Sequence, residues 1–178
     1  MLQEDPVLPG RREGAAGLRG LIPTFDPAAP GLAIATAIGL GFAVGILPVG
    51  LAEAAAVAIG VLEPPGLAVT LLVAFTLGHV AAKCPWYWAG THAERVRWPI
   101  AVRGVARARA LITRHPSYGH GLLGVSAVTS VPPFHLAAIA AGIVRIPLPS
   151  FLGLCLAGRL VRFGALGALP SLFRGWVG

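Results

Sequence analysis

Four ionisable side chains, Glu53, His135, Arg159 and Arg162, stand in stretches of sequence that are otherwise almost wholly apolar. An ionisable group at membrane depth costs about 2.5–3.5 kcal/mol on insertion scales, and persists mainly in a bundle interior or a wet cavity. These four types suit an anion site with a proton exchanger beside it. Arg159 and Arg162 are three residues apart, hence on one face of a helix. Two guanidinium forks on one face can clamp a phosphate through paired, charge-assisted hydrogen bonds, which lysine does less well. A carboxyl taken out of water and an imidazole can each exchange a proton near neutrality, which gives Glu53 and His135 a coupling role and His135 a share in holding substrate. Each residue also has a plainer reading: Glu53 as a first-turn acid against a helix dipole, His135 as a hydrogen-bonded structural histidine, Arg162 as a side chain snorkelling to the interface. Ser126, Thr129 and Ser130 could bind substrate or join the limbs of a hairpin. No Ser/His/Asp set, HExxH or CxxC motif accompanies them, so a membrane enzyme is the weakest reading and no cofactor or metal is expected.

The elements that must position these groups follow from composition. The chain has 178 residues, 56% of them hydrophobic and 12% charged, with a mean hydropathy of +0.77. That is more apolar than one soluble core of this length requires, so an all-α integral membrane protein is expected. Fourteen basic residues, thirteen of them arginine, face seven acids. A nucleic-acid reader needs a soluble scaffold that is missing here, and anionic or phosphate lipid headgroups suit the charge better. Cys84 and Cys155 are too far apart for a local motif and count as small apolar residues. Residues 1–30 mix charges with proline and glycine and read as a flexible or surface tail without a convincing signal peptide. Residues 31–170 form one membrane domain: repeat one at 31–82, a basic linker at 83–116 and repeat two at 117–170, with 171–178 as a C-terminal tail. In the linker, arginines from Arg95 to Arg114 fall on an amphipathic helix after Pro99, and Trp86, Tyr87, Trp88 and Trp98 read as an interfacial aromatic anchor.

The two halves echo each other. An offset of 82 residues lays Gly60 on Gly142, brings Ala55, Ala56, Ala58 and Pro65 onto identical residues, and puts Glu53 on His135. Each long apolar segment is broken near its middle, by Pro48 and Gly50 in the first half and by Pro132 and Pro133 in the second. Irregular backbone at membrane depth is tolerated only where protein covers it or it lines a wet cavity. Short, broken segments at matching positions of two halves point to a transport site. The expected architecture is two inverted repeats, each a re-entrant helical hairpin (31–62 and 118–144) followed by a transmembrane helix (66–82 and 148–168). A hairpin makes no net crossing and a helix makes one. The second half is then inverted, the hairpin tips meet near the midplane, the linker is cytoplasmic and both termini lie outside.

The stretches "GILPVGLAEAAAVAIG" at 45–60 and "SVPPFHLAAIAAG" at 130–142, followed by Phe151 and by "GRLVRF" at 158–163, resemble the DedA and VTT superfamily of membrane proteins, which includes the SNARE-associated Golgi proteins. The likeness covers roughly residues 40–165 and is nearest to the short bacterial members. It implies a lipid or lipid-phosphate transporter or scramblase of the bacterial cytoplasmic membrane, with recycling of polyprenyl phosphate carriers among its tasks. By the same resemblance Glu53 takes the place of the first hairpin's acid, and Arg159 and Arg162 that of the basic residues after the second. His135 stands where an acid or arginine is more usual. The competing expectation is a non-transporting membrane organiser whose basic linker docks a partner. Either reading leaves a second copy of the chain open as a partner.

Overall fold

Prolines set where the helices begin, and small residues set how closely they pack. The computed structural model describes residues 29–47, 50–92, 116–131 and 133–176. These residues form helices α1 (Pro30–Ile46), α2 (Leu51–Leu62), α3 (Pro65–Ala81), α4 (Cys84–Thr91), α5 (Pro116–Thr129), α6 (Phe134–Ile143) and α7 (Leu148–Trp176), with no strand among them. Pro48 and Pro132 lie outside the described residues, as do 1–28 of the tail, 93–115 of the linker with Trp98, and 177–178.

α1 and α3 carry proline in the first turn, where its missing N–H is no loss. α2 ends at Glu63, whose φ of −104° and ψ of 149° are extended because the residue before Pro64 cannot stay helical. α6 opens directly behind Pro133. α5 closes on Ser130 at φ 61°, whose N–H donates to the Ser126 carbonyl at 2.8 Å. α6 closes on Arg145 at φ 57°, with Arg145 N–H donating to Gly142 O and Ile146 N–H to Ala141 O, both at 3.0 Å. Those are the single-bond left-handed cap and the two-bond Schellman cap, and neither holds the glycine that fills such positions most cheaply.

Two helical stretches, Pro65–Thr91 and Leu148–Pro170, are long and apolar enough to cross a membrane. The apolar helices α1, α2 and α6 have 17, 12 and 10 residues and reach only about 26, 18 and 15 Å, short of a hydrocarbon core of about 30 Å. The first stretch runs further than the sequence predicts. Ala82 and Lys83 keep right-handed dihedrals, and Pro85 only loosens the ladder for a turn. Residues 83–91, expected in a linker, therefore belong to the bundle. The reason is in their contacts: the Lys83 ammonium donates to the Gly45 carbonyl at the C-terminal end of α1, and Tyr87, expected at an interface, is buried and donates to the Ile146 carbonyl at 2.7 Å. Trp88 is exposed.

Packing follows a pattern that maps onto itself when the halves are exchanged. α1 packs along α3 and α5 along α7, while α2 crosses to α7 and α6 crosses to α4, the continuation of α3. Close approach depends on residues without side chains. On α1, Ala33, Ala37, Gly41 and Gly45 recur every fourth residue and are all buried. A Cβ on Gly41 would overlap the Phe75 carbonyl, and one on Gly78 the Ile38 carbonyl. Across the halves, a Cβ on Gly60 would overlap the backbone of Gly167 in α7, and one on Gly142 the Tyr87 carbonyl in α4.

Among the described residues two apolar cores result. The first joins α1, α2 and α3 through Ala37, Ala56, Ile59, Leu71 and Phe75 and takes in Phe163 of α7. The second joins α4, α5 and α6 through Tyr87, Leu123, Phe134 and Ala138 and takes in Val80 of α3 and Phe151 and Cys155 of α7. α3 thus runs from the first core to the second, and α7 from the second to the first, so the long helices are antiparallel. Large apolar residues, among them Leu32, Val69, Val125 and Val161, cover the outside.

Candidate functional site

Where α3 and α7 cross between the two cores, the buried residues turn polar. Thr76, His79 and Lys83 follow one another at helical spacing on α3 and its extension, and Arg159 lies on α7; all four are buried. The hairpins close over this level from both sides. A cavity of about 200 Å³ is bounded by Leu47, Gly50, Ala52 and Glu53 of the first hairpin, by Ser130, Pro133, Phe134 and His135 of the second, and by His79, Lys83 and Arg159 of the long helices.

Glu53 joins the hairpin to the long helix of the other half. Its Oε1 accepts from Arg162 Nε at 3.2 Å, pairs with Arg162 Nη2 at 3.1 Å, and lies 3.8 Å from Arg159 Nη1. Arg162 also donates through Nη1 to the Val128 carbonyl at 2.8 Å, which fastens α5 to the same point. Arg159 is held by flat surfaces as much as by charge: its guanidinium centre is 4.1 Å from the ring centroid of Phe134 and 5.6 Å from that of Phe163. Its Nη1 donates to Ser130 Oγ at 3.1 Å. The left-handed backbone of Ser130 costs about 1–2 kcal/mol relative to an ordinary conformation. A glycine would remove that cost and the hydroxyl with it.

The expected site residues are distributed as follows. Glu53 pairs with both Arg159 and Arg162, and Arg159 links Ser130 to them. His135 borders the cavity, half-buried, with its ring 5.9 Å from that of Trp86, and has no ion pair among the described residues. Gly50 and Pro133 border the same cavity, whereas Gly60 and Gly142 stand apart from it and serve helix packing. Thr129 turns back on its own helix, donating to the Val125 carbonyl at 2.8 Å.

Two members of the site are not apparent from the apolar pattern. Lys83 holds its ammonium 5.7 Å from the Phe134 ring centroid, on a ring that Arg159 also faces. His79 is 4% exposed, edge-on to Phe163 at 5.2 Å, and neither ring nitrogen has a hydrogen-bond partner among the described residues. The same holds for Arg159 Nε. The signal for Lys83 is its rarity: it is the single lysine among fourteen basic residues.

No family model, no curated protein and no solved structure matches this chain. What the site can do therefore follows from its charges. Among the described residues, Lys83, Arg159 and Arg162 face one carboxylate, Glu53, in a setting of low polarity where unbalanced charge acts strongly. Such a site attracts an anion, and an arriving oxyanion competes with Glu53 for the guanidiniums. Beside the charged level, an apolar cavity of about 750 Å³ lies between α2, α3 and α7, lined by Val61, Leu72, Val73, Leu160 and Gly164. Its lining runs from Thr76 and Leu160 to Pro64 and Pro65 at the α2–α3 turn.

Proposed function

We propose that this chain is an integral membrane transporter or scramblase for lipids or lipid phosphates, of the kind the DedA and VTT superfamily represents, in the bacterial cytoplasmic membrane. One observation carries the reading: the breaks of both hairpins and the crossing of both long helices meet at a single cavity where cations outnumber carboxylates. Two stretches able to cross a membrane, flanked by apolar helices too short to do so, fit the plan of two re-entrant hairpins and two spanning helices. The exchange of packing partners between halves supports an inverted repeat, 31–82 against 117–170. The apolar cavity, whose lining reaches Thr76 one turn from His79 of the charged one, suits the tail of an amphiphile whose head lies at the charged level.

In this reading a headgroup phosphate reaches Arg159 and displaces the Glu53 carboxylate from the guanidiniums. In the proposed cycle Glu53, released from its counter-charges, is the group that exchanges a proton with the cavity. His135 borders the route and can relay that proton. Access alternates as the hairpins rock against the long helices.

The test is leaflet-to-leaflet movement of fluorescent anionic phospholipid and polyprenyl phosphate in proteoliposomes across a pH step. Arg159→Ala/Arg162→Ala is expected to lower the rate at least tenfold. Glu53→Gln is expected to flatten its pH dependence. If well-folded wild type moves neither lipid, with or without a proton gradient, transport is wrong and a membrane organiser that docks a partner through its basic linker takes its place.

A further inference from the structure

We infer that the protein moves as two bodies that alternate along the chain, α1, α3, α4 and α6 in one and α2, α5 and α7 in the other, so that the two limbs of each hairpin part from each other as the bodies slide. This deepens the transport reading and rests on it only for the claim that the motion carries lipid. The division is visible first in the backbone. Small residues let helix backbones touch, and backbones in contact cannot slide past each other without separating. In the first body α1 and α3 lock at Gly41 and Gly78, and α4 and α6 lock at Gly90 and Gly142; a Cβ on any of the four would overlap a carbonyl of the facing helix. In the second body Gly60 of α2 meets the Gly167 backbone of α7, and Gly158 of α7 meets Ala127 of α5. Gly167 also faces the seam between the bodies, and there a Cβ would meet the end of the Leu72 side chain of α3.

Directional bonds follow the same division. Lys83 donates to the Gly45 carbonyl and Tyr87 to the Ile146 carbonyl, both inside the first body. Glu53 pairs with Arg159 and Arg162, Arg162 donates to the Val128 carbonyl and Arg159 to Ser130 Oγ, all inside the second. The seam is of another kind. It holds both apolar cores, each of which draws residues from the two bodies. Through it runs a series of ring contacts: Phe163 of α7 lies 5.3 Å from Phe75 and 5.2 Å from His79 of α3, Phe151 of α7 lies 4.8 Å from Tyr87 of α4, and the Arg159 guanidinium rests on Phe134 of α6. Hydrogen bonds weaken steeply with misalignment, whereas apolar burial has no direction and tolerates the small sliding of packed helices.

The chain passes from one body to the other after α1, α2, α5 and α6. Hinges are a few residues at element ends that absorb a change of dihedral angles. Ser130 and Arg145, at φ 61° and 57°, stand at the crossings after α5 and α6. The repeats 31–82 and 117–170 are therefore not the moving units, and each limb rocks with the long helix to which it is locked. The charged cavity lies on the seam, with Glu53 and Arg159 on one wall and His79, Lys83 and His135 on the other, so displacement of one body reshapes it.

Distances between spin labels test the division without any lipid assay. Ile38 of α1, Val61 of α2, Val125 of α5 and Leu136 of α6 are all exposed. Each is replaced by cysteine, in pairs, in full-length Cys84→Ser/Cys155→Ala protein reconstituted in lipid nanodiscs and measured on both sides of a pH step. The pairs from different hairpins, Ile38→Cys with Leu136→Cys and Val61→Cys with Val125→Cys, are expected to give one narrow distance that stays in place. The pairs from one hairpin, Ile38→Cys with Val61→Cys and Val125→Cys with Leu136→Cys, are expected to give distributions at least twice as wide. The reverse pattern would mean that hairpins move as units and would overturn the division, as would four narrow, unchanged distances or four wide ones. A bifunctional thiol reagent then connects the result to transport: joining Val125→Cys to Leu136→Cys should lower lipid movement at least tenfold, while joining Phe42→Cys to Val73→Cys, between α1 and α3 of one body, should leave it within twofold. Lipid movement that is absent, or indifferent to both links, with the distances divided as expected keeps the two bodies and removes transport as their task.

Discussion

The two hairpins share a backbone plan and divide the chemistry between them. The first breaks at Gly50, whose φ of −68° and ψ of 23° any residue can adopt, and brings the carboxylate that both arginines face. The second breaks at Ser130, at φ 61°, a conformation that favours glycine, and brings a hydroxyl and an aromatic ring to Arg159. Glycine sits where it is not required, and a side chain sits where it is expensive. A cost retained at one break and not the other marks the side where a side chain is needed, and strain of this kind gathers at functional positions. Helix pairing is matched between the halves, and the two breaks differ where they meet the arginines.

The largest effects should come from the scaffold, and they should be equal in the two halves. Gly60→Val and Gly142→Val each drive a side chain into the backbone of the opposite long helix. Overpacking of that kind costs about 3 kcal/mol or more when the obstacle is backbone. Thermal unfolding in detergent should show both variants destabilised to a similar degree. A variant at one glycine that is tolerated while the other unfolds would break the equivalence of α2 on α7 with α6 on α4.

The residues that the repeat aligns, Glu53 and His135, should differ sharply. Glu53→Gln removes the one carboxylate beside two guanidiniums, of which Arg159 is nearly inaccessible. Breaking a buried pair costs about 3–5 kcal/mol, and about 2–3 kcal/mol is expected here because Glu53 and Arg162 are each about a quarter exposed. His135→Gln, at a half-buried residue without an ion pair among the described residues, should cost less than about 1 kcal/mol. Equal losses would mean that His135 carries an interaction equivalent to that of Glu53.

Sequence reasoning reaches the scaffold through its punctuation. Proline placement predicts the interruptions between α1 and α2 and between α5 and α6 and the start of α3, and Gly60 and Gly142, which the offset aligns, each meet backbone of a long helical stretch. Glu53, Arg159 and Arg162 are legible because charge inside an apolar run demands a reason. Lys83 and His79 are not, because hydropathy treats the first charge after an apolar run as the membrane boundary. Lys83 instead turns back onto the Gly45 carbonyl, and the apolar pattern resumes at Tyr87. His79 lies within the run, and its meaning comes only from what surrounds its ring. That Glu53 reaches the arginines, and His135 does not, depends on helix rotation, which spacing alone cannot fix.

At the second break the comparison can be sharpened by two small substitutions. Ser130→Ala keeps the left-handed backbone and deletes the acceptor of Arg159 Nη1. Ser130→Gly deletes the same acceptor and relieves the backbone, so it should be more stable than Ser130→Ala by about 1 kcal/mol. On the proposed transport reading both should slow lipid movement equally, since both release Arg159. Chemical denaturation separates the two effects: equal stability would mean that residue 130 is not held left-handed.

The matching test at the first break should do almost nothing, and that is its use. A Cβ on Gly50 would meet only Glu53 Oε2, at 3.6 Å, an ordinary contact, and the φ of −68° suits alanine. Gly50→Ala is therefore expected to stay within about 0.5 kcal/mol of wild type. Its effect on transport separates two roles for this glycine. If movement is unchanged, the first break is a passive turn that delivers Glu53, and the demanding backbone chemistry is confined to Ser130. If movement falls while stability holds, the break must pass through a conformation that only glycine permits, and in the proposed transport cycle the α1–α2 break is the one that flexes.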